Sequence, residues 1–496
     1  MKNIYSNKST LEPSSRVGKL RTLSEFRREV EIPLILAKKL IVWGEVEAVK
    51  LADGTLRITE TEVARAKEWL EFPFRKTRLF LRALGPGLIT GASDDDPSGI
   101  GTYSSVGAMF GMAILWMAAW LLPVMLAIQE VCARIGIVTN RGLAGVLQRH
   151  YRKKIVAGIV VLLIIANVVN IGADLGAMAA SLEMLFGVHF YIFAFALAVL
   201  IIFIEIFFKY RNYAKALKWL TISVFAYIIT GFLVKPDWRE VFSNAFLPDI
   251  TFDKNYVFAM IAVFGTTITP YLFFWQASEE VEEEKLAKIE AKKSPNDPKK
   301  NYNLHDRIRH MRTDVGTGMV LANVVFFFII VTTAQVFFKN GISDIGSAEQ
   351  AALALRPLTG EYAYLLFALG IIGTGLLAVP ILAGSGAYAL CEVMKWREGL
   401  ELKFSRARGF YLIIAASILV GLGLNFIGVN PIKALYWAAY LNGIIALPLL
   451  VAIMVVGNDK RIMGEETHPK WVKIFGWLAV VFMVAAVAAT IFLAVK

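Results

Sequence analysis

The sequence predicts an all-α polytopic membrane protein of about eleven transmembrane helices, ten of them forming two inverted halves of five. Three observations predict it. Of 496 residues 57% are hydrophobic, too apolar a composition for a water-soluble chain of this size. Apolar runs near the ~20 residues that cross a bilayer recur from about residue 83 to the end. Helix-breaking residues interrupt the first and the sixth of these runs, which occupy matching positions if each half holds five helices. An odd number of helices per half forces the halves into opposite orientations.

Residues 1–78 precede the apolar runs as an amino-terminal segment. Its first two dozen residues are rich in Ser, Lys and Arg and are expected to be disordered. The remainder predicts a turn at Ala52-Asp53-Gly54 between two short alternating runs, then a helix over Glu60 to Leu70. No short apolar core with a small-residue cleavage site opens the chain, so the start is expected to stay in the cytoplasm.

The spans are expected at about 83–109, 112–134, 155–185, 189–208, 214–234, 255–277, 315–338, 362–394, 409–427, 431–456 and 472–495. Residues 79–460 form a core of ten helices, and 461–496 supply the eleventh. The net charge of +12 resides largely in loops after even-numbered spans, among them Arg141 to Lys154, Lys209 to Lys218, Lys395 to Arg408 and Lys460 to Lys473. Cytoplasmic loops are the basic ones, which puts the amino terminus inside and the carboxyl terminus outside, in a prokaryotic plasma membrane. The same reading assigns the basic charge to anionic lipid and expects no nucleic-acid partner. The loop 279–313 opens with Glu-Glu-Val-Glu-Glu-Glu and is expected to continue a helix with a wet, charged face before a flexible linker. Cys132 and Cys391, the only two cysteines, lie in apolar runs and offer neither a disulfide framework nor a thiolate metal site.

The first span carries Asp94, Asp95, Asp96 and Pro97 in an otherwise apolar setting. Each Asp at the centre of a membrane helix costs about 2.5 to 3.5 kcal/mol, so the three call for a partner, a wet cavity or a cation. Pro97 lacks an N–H and breaks the helix, and the freed carbonyls beside carboxylates are oxygen ligands for a hard cation. The plainer alternative is that Asp95 or Asp96 caps the helix that begins at Pro97, and both roles can be held at once. In the sixth span Gly265 and Pro270 bracket Thr266, Thr267 and Thr269, a second break at the position that the inverted repeat requires. Taken alone, this proline would be an ordinary kink. Pro380 and Pro448 are expected to be kinks of that kind, and Glu130, Glu183, Glu205 and Glu392 to serve capping or salt bridges near helix ends.

Gly85-Pro86-Gly87 followed by Asp96-Pro97-Ser98-Gly99 resembles the first-helix signature of the Nramp divalent-metal transporters, which have a LeuT-like inverted-repeat fold. Gly265 to Tyr271 resembles the family's sixth-helix Met-Pro-His segment, and Asp174-Leu175-Gly176-Ala177 its third-helix Asp-Leu-Ala-Glu pattern. The resemblance implies helices 1 and 6 unwound at mid-membrane, with Asp96 and the backbone oxygens of Ser93 and Thr266 as metal ligands. It also shows departures. Gly99 stands where the family has Asn, Thr269 where it has the Met sulfur, Tyr271 where it has His, and Ala177 where it has a second acid.

Losing the thioether leaves an oxygen site suited to Mg2+ or Mn2+ in place of softer metals, as in the branch of the family that moves magnesium. The expected function is a secondary transporter, as a monomer, taking up a divalent cation that is its substrate, with no cofactor. Asp94, Asp95, Gly99, Tyr271, Asp174 and Asn442 are the secondary candidates. Asp174 remains open as a proton acceptor, an electrostatic attractor, or an Asp bonded to Asn167 or Asn170. The alternatives are an amino-acid or amine transporter of the same fold, whose substrate carboxylate the three aspartates would repel, and an intramembrane metal-dependent enzyme, for which no H-E-x-x-H pair is present.

Overall fold

The computed structural model describes residues 20–42, 45–51, 55–70, 86–208, 210, 220–293 and 304–495. The chain divides into two compact units, one of Met1–Gly85 with Lys288–Thr313 and one of Pro86–Ala287 with Asp314–Lys496. The turn at Ala52-Asp53-Gly54, Gly85, the basic residues between Lys209 and Lys218 and the linker 294–303 lie outside the described residues.

In the first unit, strand β1 (Leu20–Thr22) leads into α1 (Leu23–Glu29). Thr22 starts that helix with a reciprocal cap: its side chain accepts from the Glu25 N–H, and the Glu25 carboxylate accepts from the Thr22 N–H at 2.7 Å. A four-residue turn with Glu31 at φ 55° leads to α2 (Leu34–Val42). Strands β2 (Val49–Lys50) and β3 (Leu56–Thr59) form an antiparallel pair, and β1 joins β3 on its other edge. The helix α3 (Glu60–Leu70) closes the motif with the bounds expected for it. Phe26, Leu36, Leu40, Ile58, Val63 and Leu70 fill the core between these elements. This small sheet is the departure from an all-α chain: β2 and β3 grow from the two short alternating runs, whereas β1 and the start of α1 fall within the first two dozen residues, where composition predicts disorder and pairing with β3 and the Thr22 cap order the chain instead.

The second unit is helical. Its described residues include nine helices long and apolar enough to cross a membrane. The two expected spans not among the nine are the first, which is split, and the fifth, whose opening residues 214–219 lie outside the described residues. The first is represented by α4 (Pro86–Asp94) and α5 (Pro97–Phe110). Then come α6 (Trp116–Thr139), α7 (Leu143–His150), α8 (Lys153–Phe186) and α9 (Phe190–Phe207). The fifth is represented by α10 (Ala226–Leu233), and α11 (Trp238–Phe246) follows it. The sixth is divided into α12 (Lys254–Thr267) and α13 (Pro270–Lys293), and α14 (Leu304–Val336) is the seventh. The series ends with α15 (Ala363–Met394), α16 (Arg408–Leu424), α17 (Pro431–Asn458) and α18 (Lys470–Val495). Pro380 and Pro448 sit inside the continuous helices α15 and α17.

Helix α13 continues well past the expected end near residue 277, as the acidic run predicts, but its charged face is only partly wet. Glu280 is buried and accepts from the Gln276 amide at 3.0 Å. Three of the four carboxylates expected in structural roles take them up: Glu130 pairs with Arg134 at 2.6 Å, Glu183 accepts from the Phe190 N–H, and Glu392 accepts from the Gly145 N–H at the start of α7, while Glu205 is buried within α9. Phe203, Val481 and Ile491 are about half exposed or more, apolar surface of the kind a lipid bilayer covers.

Close helix crossings position the broken segments. A Cβ added at Gly265 would run into the Ala439 carbonyl and the Gly443 backbone, so α12 and α17 touch main chain to main chain. Gly91 is held likewise against Gly318, and the Gly87 N–H donates to the buried Asp314 carboxylate at 2.8 Å. Gly265→Ala is therefore expected to lower the melting temperature of the detergent-solubilised protein, because overpacking costs about 1 to 3 kcal/mol. Gly158→Ala, at a position with nothing within 4 Å of an added Cβ, should leave it unchanged or slightly raised.

Candidate ion site between the two broken helices

The break in the first span is local chemistry. Pro97 cannot donate to the carbonyl four residues back and its ring crowds that carbonyl, so α4 stops at Asp94 and α5 starts at Pro97. Asp96 between them is extended (φ −67°, ψ 171°), and its Oδ1 accepts from the Gly99 N–H at 2.7 Å. Asp96 is thus the cap of α5, and its second oxygen is left for other work.

In the other broken span α12 ends at Thr267, Ile268 and Thr269 cross the gap, and Pro270 opens α13. Side chains tie the two breaks together. The Ser98 and Thr266 hydroxyls share a hydrogen bond at 3.2 Å. The Tyr271 hydroxyl faces the Ser93 carbonyl at 2.9 Å and Asp96 Oδ2 at 3.3 Å, two acceptors for a single hydrogen. Behind them the Tyr103 and Thr267 hydroxyls meet at 3.0 Å, and Thr90 donates to Gln276 at 2.7 Å.

Asp96, Ser93, Thr266 and Tyr271 therefore come together, with Ser98 as a joining residue that the sequence reading passed over, although it stands between Pro97 and Gly99 in the motif. Thr269 lies in the second gap itself, fully buried, its hydroxyl next to that of Tyr271. Position 99 faces the first gap: a Cβ there would stand 3.1 Å from the Asp94 carbonyl and 3.6 Å from Asp96 Oδ1, space that glycine leaves open. Asn442 immediately precedes Gly443, the residue seated on Gly265, and its Nδ2 is buried without a partner among the described residues.

Asp94 and Asp95 are buried next to Asp96, and among the described residues no three His, Cys, Asp or Glu side chains are grouped as a metal-binding cluster. Asp94 Oδ1 is buried and has no partner among the described residues.

Asp174, on α8, is fully buried, and the charge of Asp96 acts on it. It is not bonded to either asparagine. The Asn167 amide donates to the Leu382 carbonyl and to Ser385, both at 2.8 Å, whereas both polar atoms of Asn170 lack partners among the described residues and the Asp174 carboxylate lies towards the Ser98 N–H of the first break. A buried polar atom left dry costs about 1 to 3 kcal/mol, which makes Asn170 a place where water would be held.

The donor set is all oxygen: one carboxylate, carbonyls at the ends of α4 and α12, and hydroxyls. Helix C-termini carry the negative end of the macrodipole and leave carbonyls unsatisfied, so two of them meeting here favour a cation. The N-terminus of α5, where an anion would bind, is already occupied by the Asp96 carboxylate.

A family model described as Natural resistance-associated macrophage protein-like matches residues 87–493. The chain is 27% identical over 427 residues to the divalent metal cation transporter MntH of Bacillus subtilis, an alignment covering 84% of this chain and 93% of that protein. It is 23% identical over 423 residues to the protein of the same name from Caldanaerobacter subterraneus subsp. tengcongensis, covering 84% and 94%. The crystal structure of the Eremococcus coleocola manganese transporter in complex with an aromatic bis-isothiourea substituted compound superposes with a TM-score of 0.64 at 18% identity, over 82% of this chain and 86% of that one. The fold of the second unit is the fold of that structure. The family match starts beyond the small α/β motif of residues 20–70.

Proposed function

The chain belongs to the Nramp family, and from that premise we propose that it is a secondary transporter of a divalent metal cation, Mg2+ or Mn2+ ahead of softer ions, working by alternating access around the two helix breaks. The family is one of transporters, so the metal is substrate and not cofactor, and no enzymatic activity is assigned. In this reading the Asp96 carboxylate, the Ser93 and Thr266 carbonyls and the Thr269 hydroxyl hold the ion. Tyr271, Gly99 and Asn442 shape the space around it, and Asp94, Asp95 and Asp174 draw it in. The direction is uptake, from the side of the sparsely charged loops to the side of the basic ones. A membrane potential supplies about 2.3 kcal/mol per charge per 100 mV, hence about twice that for a divalent ion.

The observation that carries the preference is the buried hydroxyl of Thr269, an oxygen at the one position where a thioether would favour soft metals. An amino-acid substrate is disfavoured because the helix N-terminus that would take its carboxylate already holds Asp96.

Proteoliposomes loaded with a metal-sensitive dye and a pH dye test the proposal. Uptake of Mg2+ and Mn2+ is expected at micromolar to millimolar concentrations, with Cd2+ at least about tenfold less efficient, the ratio that ~1.4 kcal/mol of ligand preference gives. A protein that carries Cd2+ best, or carries no divalent cation, does not have this function.

A further inference from the structure

The transport reading leaves Asn170 without a role. It lies on α8 one turn before Asp174, with no exposed surface, and neither Oδ1 nor Nδ2 has a hydrogen-bond partner among the described residues. Asn167, one turn earlier, is fully engaged through its amide with Leu382 and Ser385 on α15, so helix-to-helix bonding is available on this face and Asn170 does not use it.

The stripe runs up to the first break. Met178, one turn beyond Asp174, and the Pro97 ring both crowd the space in front of Gly375 on α15, which sets Met178 beside the residue that follows Asp96. Residues four apart on a helix are about 6 Å apart along its axis, so Asp174 and Asn170 are successive steps down from the break. Asn170 presents two buried polar atoms without a hydrogen-bond partner among the described residues, and the Asp174 carboxylate next to it lies towards the Ser98 N–H at the start of α5. A buried water needs two to four polar partners, and these atoms supply them, whereas dry apolar packing supplies none.

Resting on the transport reading above, we infer that Asn170, together with Asp174, holds water molecules of the transported ion's hydration shell and so favours Mg2+ over ions that dehydrate more readily. Mg2+ gives up water reluctantly and is held through one or two carboxylates with several waters retained. The site has one carboxylate at the break, Asp96, and a second, Asp174, on the neighbouring helix α8. An amide with both a donor and an acceptor suits the water layer between ion and protein, since it accepts from one water and donates to the next. Asn170 acts on the ion through water and is a positioning residue.

The test is uptake of Mg2+ and of Mn2+ by proteoliposomes of wild type, Asn170→Leu and Asn170→Ser, with melting temperature as the folding control. Leu removes both polar atoms at similar volume, and Ser keeps a hydroxyl with space for a further water. Asn170→Leu is expected to raise the KM for Mg2+ about tenfold and to move the KM for Mn2+ by no more than about twofold. Asn170→Ser should keep the wild-type ratio. If the Leu variant does not fold, Asn170→Val carries the same comparison. Equal changes for both ions, or an unchanged ratio in a folded Leu or Val variant, would overturn the role of Asn170 alone. Wild type that moves neither ion would overturn the transport reading itself.

Discussion

Asp96→Asn should fold with close to wild-type stability and lose uptake of Mg2+ and Mn2+ by more than about 100-fold. Changing a residue that only supports a metal ligand typically costs 10- to 100-fold, and removal of the single carboxylate at the junction should exceed that. Asn is as good a helix cap as Asp, so the 2.7 Å bond to the Gly99 N–H can persist and only the charge is removed. Asp96→Ala removes both, and should add a loss of about 1 kcal/mol of stability to the loss of transport. Thermal melting read beside initial uptake rates separates the two roles. Uptake by Asp96→Asn within a few-fold of wild type would leave Asp96 a cap and nothing more.

Thr269→Met should change the cargo. Thr269 Oγ1 is buried at the second break, and Met at this position would put a polarizable sulfur where an oxygen now is. Soft ligands favour soft metals, and a tenfold rise in the efficiency of Cd2+ relative to Mn2+, about 1.4 kcal/mol, is the expected result. The longer side chain enters a closely packed gap, so total uptake is expected to fall even as the ratio shifts. Competition between Cd2+ and Mn2+ at fixed total metal reads the ratio independently of protein yield. An unmoved ratio would show that position 269 does not face the ion.

Much of this was legible in the chain because it rests on local rules. Pro97 and Pro270 stand at helix breaks while Pro380 and Pro448 sit inside continuous helices, and the acids and hydroxyls next to the first two mark the places where broken backbone has company. The span lengths follow from hydrophobic runs. Direction is what a sequence does not carry. Three adjacent aspartates are alike as letters, yet Asp96 alone caps α5 and meets Tyr271, and Glu280 looks like part of a wet face until Gln276 meets it inside. Ser98 was in view as a letter of the motif, but its bond to Thr266 spans 168 residues and exists only once α5 and α12 are packed. Asn170 is in the same position, since an unsatisfied amide is a property of everything packed around it. The three-stranded sheet escaped the all-α description because its strands are 3, 2 and 4 residues long, too short for alternation to be distinctive.

Helix α13 starts at Pro270, the residue between Thr269 and Tyr271, and runs without interruption to Lys293. At 1.5 Å per residue the 18 residues from Pro270 to Ala287 make a rod of about 27 Å, so each degree of tilt about Pro270 would displace Ala287 by about 0.5 Å. Any tilt at the break would make this helix a lever arm. A pair of spectroscopic labels, one near Glu284 and one on a helix that stays fixed, would magnify rearrangements at Tyr271 that are too small to resolve at the fulcrum. The distal turns of this helix are the natural place to watch the ion come and go.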